Sequence, residues 1–326
     1  MNAAYTPLEF RLLNDYQRGF PLVPAPFAAV AAELGCAEET VLTALTTLRQ
    51  AGVVSRVGGV FAPRSVGAST LAALSAPPER LEAIAALVSA RPEVNHNYER
   101  EHHYNLWFVA TAPNEAALAC SLDAIAAETG CPVIALPMLE EFHIDLGFDL
   151  AGGHKVHVNS GGASRRELTL AERRLGAALQ PGLELVPRPY ARLADQAGMG
   201  EAEAIAHLAG WLDDGTLKRF GVVVRHHELG YTANAMVVFD VPDAEVSAVG
   251  LRLAREAGVT LCYRRRRHLP EWPYNLFCMV HGRSRADVEP IIERLCRVAG
   301  YPCEALFSTR RFKQRGAHYF GAGDAA

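Results

Sequence analysis

"FPLVPAPFAAVAAELGCAEETVLTAL" (residues 20–45) and "LELVPRPYARLADQAGMGEAEAIAHL" (residues 183–208) are one segment written twice. Leu22, Val23, Pro24, Pro26, Gly35 and Glu38 return as Leu185, Val186, Pro187, Pro189, Gly198 and Glu201, at a constant offset of 163 residues. The same offset holds at Gly52 and Gly215, Arg56 and Arg219, and Gly67 and Gly230. It becomes 165 at Tyr98 and Tyr263, then 170 at Asn105 and Asn275, where "LPEWP" (269–273) has been inserted. Chance does not sustain an ungapped offset over such a length, so the chain is a duplication.

Each half divides again. Val41, Leu42, Leu45 and Leu48 stand at helical spacing behind a glycine turn, and Ala204, Ile205, Leu208 and Trp211 repeat them. With "VVSRVGGVFAP" and "LKRFGVVVRH" read as short β-hairpins, this is a winged helix-turn-helix pattern. Strand, helix, two strands, helix and strand follow in each half, the βαββαβ order of a ferredoxin-like sandwich. The expected fold class is α+β, with two winged helix-turn-helix plus ferredoxin-like halves forming a pseudo-dimer. The boundaries are 1–65 and 66–151 for the first half, 168–228 and 229–326 for the second. A Gly/Ser-rich linker, 152–167, joins them.

The 326 residues are 50% hydrophobic and 21% charged, as expected of a chain with real cores, and the formal charge is −4. No global basic field advertises nucleic acid or anionic lipid. The segment "MNAAYTPLEFRLLNDYQRGF" lacks a basic stretch followed by an apolar one, and no run is long enough for a transmembrane helix. Seven cysteines with no Cys-x-x-Cys pair read as reduced thiols in a cytoplasmic protein. His226 with His227 and His154 with His157 have metal-like spacings without paired cysteines, and no metal site is read.

A winged helix followed by a ferredoxin-like domain resembles the Lrp/AsnC transcription regulators across each half. A helix that enters the major groove needs cations for phosphates and Arg, Asn or Gln for base edges. The first candidate helix instead starts with Glu38 and Glu39, and the second carries Glu201, Glu203, Asp213 and Asp214 with no Lys or Arg. No specific DNA binding is expected.

The chemistry concentrates in "VNHNYEREHHYNLWFV" (94–109) and its copy "VTLCYRRRRHLPEWPYNLFCMV" (259–280). Both keep Tyr-x-Arg and then Tyr-Asn-Leu-aromatic, while the charges between have been exchanged. On an extended segment Tyr98, Arg100 and His102 share one face, and Glu99, Glu101 and His103 the other. The matching face of the second half is Tyr263, Arg265 and Arg267. "EEFH" (140–143) aligns with "RRFK" (310–313), so the first half keeps titratable groups where the second keeps fixed cations. Trp107, Phe108 and Phe277 read as core, and His96 as a hydrogen-bonded or surface histidine. His143 and His318 stay open between surface and site roles, and the Arg264–Arg267 run has a bland alternative as a solvated strand edge. Trp272, between prolines in a loop, is free to cover a flat ligand.

These paired anchors on fused Lrp-like halves resemble the siroheme decarboxylases over nearly the whole chain. The resemblance implies loss of CO2 from the C12 and C18 acetates of siroheme, giving 12,18-didecarboxysiroheme for d1-type or alternative haem synthesis. It implies no cofactor, because the iron belongs to the substrate. Siroheme is a flat apolar macrocycle with eight carboxylates, which calls for an apolar slot, cations on its rim and a proton donor. The expected catalytic set is His102, His103, Tyr98 and Arg100, with histidine as the acid because its pKa near ~6.5 suits proton exchange at cellular pH. The expected substrate-binding set is Arg264, Arg265, Arg267, His268, Trp272, Arg310, Arg311, Lys313 and Arg315. Partners under this reading are siroheme, a second copy of the chain and other haem-pathway enzymes, with neither DNA nor a membrane. A regulator sensing a small anion and a non-catalytic tetrapyrrole carrier are the alternatives.

Overall fold

The computed structural model describes residues 5–62, 65–144, 167–225 and 233–320. Residues 152–166 of the expected linker, and His154, His157, His226 and His227, lie outside the described residues. The first half runs α1 (Pro7–Asp15), α2 (Pro26–Leu34), α3 (Glu38–Gln50), β1 (Val54–Phe61), β2 (Ala68–Leu74), α4 (Leu81–Ala90), β3 (Val94–Arg100), β4 (Leu106–Ala112), α5 (Glu115–Thr129), β5 (Val133–Leu136) and β6 (Met138–Ile144). The second repeats it as α6 (Leu170–Leu179), α7 (Pro189–Ala197), α8 (Glu201–Asp213), β7 (Leu217–Val224), β8 (Ala233–Phe239), α9 (Val246–Leu253), β9 (Val259–Arg265), β10 (Leu276–Gly282), α10 (Arg285–Ala299) and β11 (Cys303–Gln314).

Local chemistry sets the repeated helices. Thr6 with Glu9 and Thr169 with Glu172 form capping boxes on α1 and α6. Pro26 and Pro189 start α2 and α7, where the missing N–H costs nothing. Gly35 and Gly198 end those helices at φ 69°, the left-handed turn into α3 and α8 that glycine adopts without strain.

The wings depart from expectation. "VVSRVGGVFAP" and "LKRFGVVVRH" are not hairpins. Each gives a single strand, and β1 pairs antiparallel with β7 across the duplication, Gly58 facing Gly221. The two helical modules consequently share one core, in which Leu12, Leu45 and Val57 meet Leu175, Trp211 and Phe220. A hairpin and a cross-half ladder satisfy the same backbone groups, and the joint apolar core favours the second.

The ferredoxin-like halves also exchange strands. The order in the large sheet is β5-β2-β4-β3-β11-β8-β10-β9-β6. β11 pairs through Cys303–Phe307 with β8 of its own half, then through Ser308–Gln314 with β3 of the other. β5 pairs with β2, while β6 crosses to β9. Only Pro137 separates β5 from β6, so the two ends of the sheet are consecutive in the chain and the strands close into a ring. Trp107, Leu71 and Leu136 from the first half fill its interior with Met236, Phe277 and Leu306 from the second.

Two arginines fasten the crossings. Arg100 Nη1 donates to Leu306 O at 2.9 Å, and Arg265 Nη1 to Leu136 O at 2.7 Å. The asparagines of the Tyr-Asn-Leu anchors also do one job twice. Asn105 bonds both backbone groups of Ala76 at 2.8 Å, and Asn275 those of Val241 at 3.1 and 2.9 Å. The arginines therefore serve the closure of the sheet, and the asparagines tie β4 and β10 to the chain just after β2 and β8 within their own halves.

Phe142 on β6 enters the core of the second half, against α9. A Cβ on Gly250 would lie 2.2 Å from the Phe142 ring, so the helix accepts this aromatic only because residue 250 has no side chain. The thiols depart from expectation as well. Cys296 at the end of α10 and Cys303 at the start of β11 form a disulfide, because the turn between them brings their Cα atoms to 5.9 Å. Among the described residues no helix is long and apolar enough to cross a membrane.

Phe142→Ala tests the exchange. The variant empties a site in the opposite half's core and is expected to cost about 3–5 kcal/mol, read as a lower urea midpoint with an unchanged slope. A cost below about 1 kcal/mol would show that the crossing strand does not hold the halves together.

Candidate functional site

β3 carries the first half of the motif only as far as Arg100. The backbone then turns: Arg100 N donates to Asn105 O at 2.9 Å, and His102 N to Arg100 O at 2.9 Å. Face alternation stops where the strand stops, which corrects the expected co-facial set of Tyr98, Arg100 and His102. The His102 ring lies beside Tyr104 and edge-on to Trp272, its Nδ1 accepts from Tyr104 N at 2.9 Å, and its Nε2 is 3.4 Å from Glu304 Oε1. Burial holds its pKa below the usual value, against the opposing pull of Glu304. His103 is exposed beside Tyr104.

The second half's motif is largely committed to structure. Arg264 donates to Asp243, and Arg267 to Asp240, Asp243, Pro273 O and Val241 O at 2.6–2.7 Å. Arg265 is buried over the Tyr263 ring, 4.5 Å from its centroid, and holds Leu136. His268 and Trp272 bond to each other through their backbones at 2.9 and 2.7 Å. This bridge folds Trp272 inward to 1% exposure, where it touches Trp107. The expected loop aromatic is thus a core residue. On β11, Arg310 is tied to Glu99 and Glu82, Arg311 donates to Gln314, and Lys313 donates to Ser89 O and Arg91 O. Burial, with Arg315 nearby, lowers Lys313 to about 8.

The convergent groups lie elsewhere, in a cavity of about 370 Å³ between the β1–β7 ladder and the closed sheet. Both halves line it. Tyr98, Tyr263, Trp107, Leu71, Met236 and Met279 make its apolar walls. Arg56, Arg100, Arg219, Arg225 and Arg315 bring five guanidinium groups, with His96 and His281 also on the wall. None of the described lining residues is an aspartate or a glutamate. Of the expected site residues, Tyr98, Arg100 and Arg315 line this space. The others do not.

His96 reaches the wall through an irregularity. The β3–β4 register shifts between Val94 and His96, so Asn95 and His96 both line the cavity where strict alternation would send one away. His96 Nδ1 is 3.1 Å from Asn95 Oδ1, and burial lowers its pKa to about 4. His281 comes from β10, and its Nδ1 is 2.8 Å from Thr260 Oγ1. The two histidines belong to different halves at non-equivalent positions. Leu261 stands where His96 would repeat, and Thr111 where His281 would.

Backbone groups aim the cations. Arg219 Nη1 donates to Gln17 O at 2.6 Å, Arg56 Nη2 to Gly59 O at 3.1 Å, and Arg315 to Pro92 O. Burial lowers Arg56 to about 10, and lowers Arg100 to about 10 against the pull of Tyr98 and Tyr263. Both remain charged at neutral pH. The Nε–H groups of Arg56, Arg100, Arg225 and Arg315 are buried without an acceptor among the described residues, a costly state for charged donors unless a ligand supplies one. Burial raises the Tyr98 phenol, with Arg100 and Arg311 opposing it. A flat, apolar polyanion satisfies this space chemically.

Comparison with known proteins agrees with the geometry. The AsnC-like ligand binding domain family matches residues 66–143 and 228–313, and the siroheme decarboxylase NirDL-like HTH domain family matches 9–54 and 172–217. A siroheme decarboxylase NirDL subunit of Paracoccus denitrificans is 47% identical over 313 residues, covering 95% of this chain and 96% of the relative. The crystal structure of the siroheme decarboxylase NirDL superposes with a TM-score of 0.72 at 30% identity, over 97% of this chain and 96% of that one. A co-complex of that enzyme with an iron-uroporphyrin III analogue gives 0.70 at 28% identity, over 98% and 95%. With nearly half the residues identical over almost the full length of both chains, this protein belongs to the siroheme decarboxylase family.

Proposed function

We propose that the chain removes CO2 from the two acetate side chains of siroheme, within the cavity shared by its halves. The observation that carries this reading is the lining itself: five guanidinium groups, two imidazoles and no described carboxylate around apolar walls. Arginine keeps its charge when buried and holds carboxylates in a bidentate manner. The macrocycle's eight carboxylates need such a rim, and its faces need the aromatic and methionine walls.

Each decarboxylation breaks the bond between the acetate methylene and its carboxylate. CO2 leaves, the electron pair stays on the methylene carbon conjugated to the ring, and one proton converts that carbon to a methyl group. The apolar walls favour departure of the charged carboxylate as neutral CO2. His96 and His281 are the proton donors in this reading, one from each half. They replace His102 and His103, which lie outside the cavity. Tyr98 orients the acetate, and its raised pKa keeps the phenol protonated. Before substrate enters, burial keeps His96 neutral. Substrate carboxylates beside it favour the imidazolium, so binding charges the acid that the reaction uses.

Anaerobic incubation with siroheme and mass spectrometry of the extracted macrocycle is the direct test. Wild-type protein is expected to remove two CO2. Binding without any mass change would support a carrier and overturn the enzyme. In single turnovers, His96→Ala and His281→Ala are each expected to lower the chemical rate by about 10²–10⁴-fold, the usual worth of a positioned proton donor. Siroheme affinity should change far less. Wild-type rates in both variants would remove the two histidines from the mechanism.

His96 also predicts an acid sensitivity of the protein assayed without substrate. The unfolded chain binds a proton at His96 below about pH 6.5, whereas the fold refuses it until about pH 4. Stability contributed by the neutral ring is therefore present above the unfolded pKa and lost as pH falls through that window. Thermal midpoints are expected to decline between pH 6.5 and 4, and His96→Gln should flatten the decline. An equally steep decline in His96→Gln would assign the sensitivity to other groups.

A further inference from the structure

Asn95 and Thr260 occupy the same position of the two halves, at the 165-residue offset that relates Tyr98 to Tyr263. Both line the cavity, and each meets the Nδ1 of an imidazole. The imidazoles differ in origin. His96 follows Asn95 on β3, whereas His281 reaches Thr260 from the neighbouring strand β10. The feature repeated on the wall is therefore an uncharged partner, and a histidine has been set against it in two different ways.

Neighbours on a regular strand are turned to opposite faces. The register shift between Val94 and His96 brings these two together. Arg315 N donates to Asn95 O at 2.8 Å and so fixes the irregular backbone, and Asn95 is buried. An amide oxygen only accepts, so His96 Nδ1, 3.1 Å from Asn95 Oδ1, is the donor. The bond made by one ring nitrogen decides which of the two carries the proton, and Nε2 is left with the lone pair of the neutral ring. A carboxylate in place of this amide would favour the imidazolium before any substrate arrived. The amide does not, and burial holds the ring neutral down to about pH 4. The charged and titratable groups that face this space are the five guanidinium groups, Tyr98, Tyr263 and His281, while the strand neighbours of His96, Gln314 and Val109, carry no charge. Among the described lining residues no carboxylate is present, so the negative charge that favours the imidazolium comes with the ligand.

We propose that Asn95 is a positioning residue for the decarboxylation: it holds the His96 Nδ1–H, makes Nε2 the nitrogen that takes up and delivers the proton, and leaves the charge of the ring to be set by bound substrate. The proposal rests on His96 as a proton donor. Substrate carboxylates beside the ring favour uptake of a proton from solvent at Nε2. When CO2 has left, the Nε2–H bond breaks, and its proton joins the electron pair on the methylene carbon as a new C–H bond. The ring returns to its neutral Nδ1–H form. Nδ1 keeps its proton throughout, so the ring need not turn between the two states.

Histidine ring nitrogens labelled with ¹⁵N read the tautomer by NMR, with His96→Gln assigning the signal. In substrate-free protein at pH 7 the His96 proton is expected on Nδ1, and a ring protonated on Nε2 instead overturns the proposal. Asn95→Asp keeps an acceptor of the same shape and adds a charge, so the His96 titration midpoint should rise by about one pH unit or more. Asn95→Leu removes the acceptor. In single turnovers with siroheme it should lower the chemical rate about tenfold or more, while affinity stays within about threefold. A midpoint in Asn95→Asp that matches wild type, or a wild-type rate in Asn95→Leu, overturns the proposal and leaves the enzyme reading intact. Where Asn95→Leu does not fold, the tautomer and the Asn95→Asp titration decide. A wild-type rate in His96→Ala overturns the reading of His96 itself, and this proposal with it.

Discussion

The structure depends on a reciprocal crossing: the last strand of each ferredoxin-like unit completes the sheet of the other half. Arg100 and Arg265 are the fasteners, each buried and each ending on a carbonyl of the opposite half, Leu306 on β11 and Leu136 at the end of β5. A buried guanidinium is tolerated only where acceptors meet it. Its aromatic platform, Tyr98 or Tyr263, comes from the same Tyr-x-Arg pair. The ring this closes leaves no sheet edge where the halves meet. It also holds both winged modules over one surface, close enough for β1 and β7 to pair with each other. The space trapped between that ladder and the sheet is the cavity. It exists only because two halves share one axis.

Much of this was legible in the sequence. An offset constant over many residues can only be a duplication, and the βαββαβ order followed from pattern lengths alone. The wings were not legible. "VVSRVGGVFAP" has the composition of a hairpin, and the choice between folding on itself and pairing with a segment 163 residues away is made by tertiary packing. The crossing was equally hidden, because β6 and β11 read as the final strands of their own units and nothing local says where a strand's partner lies.

The site was half legible for related reasons. Tyr98 and Arg100, which line the cavity, stood out because the anchors are repeated, and Arg315 because it closes the most basic strand. Alternation carried past Arg100, where the turn begins, put His102 on the face of Tyr98 and Arg100, but His102 and His103 do not line the cavity. His96 was underweighted because the register shift beside Asn95 breaks the same rule in the other direction. His281 stood alone in an apolar strand and gave no signal. Arg56 and Arg219 did give one. They hold the 163-residue offset on strands that are otherwise mostly apolar, and a cation kept twice in such a place has an internal role.

An on-axis cavity also explains why the halves diverged where they did. Two identical halves would present the same groups twice, related by a twofold axis. The order of acetate and propionate groups around siroheme has no such axis, and two of its acetates must be singled out from the other side chains. The framework residues are kept in both halves: Tyr98 and Tyr263, Arg100 and Arg265, Asn105 and Asn275. Two residues on the cavity wall have been released from the symmetry, His96 against Leu261 and His281 against Thr111. Fusion into one chain permits this, since each half can change without imposing the same change on its partner. Symmetry in the frame supplies stability, and its loss on the cavity wall gives an unsymmetrical lining, as an unsymmetrical substrate requires.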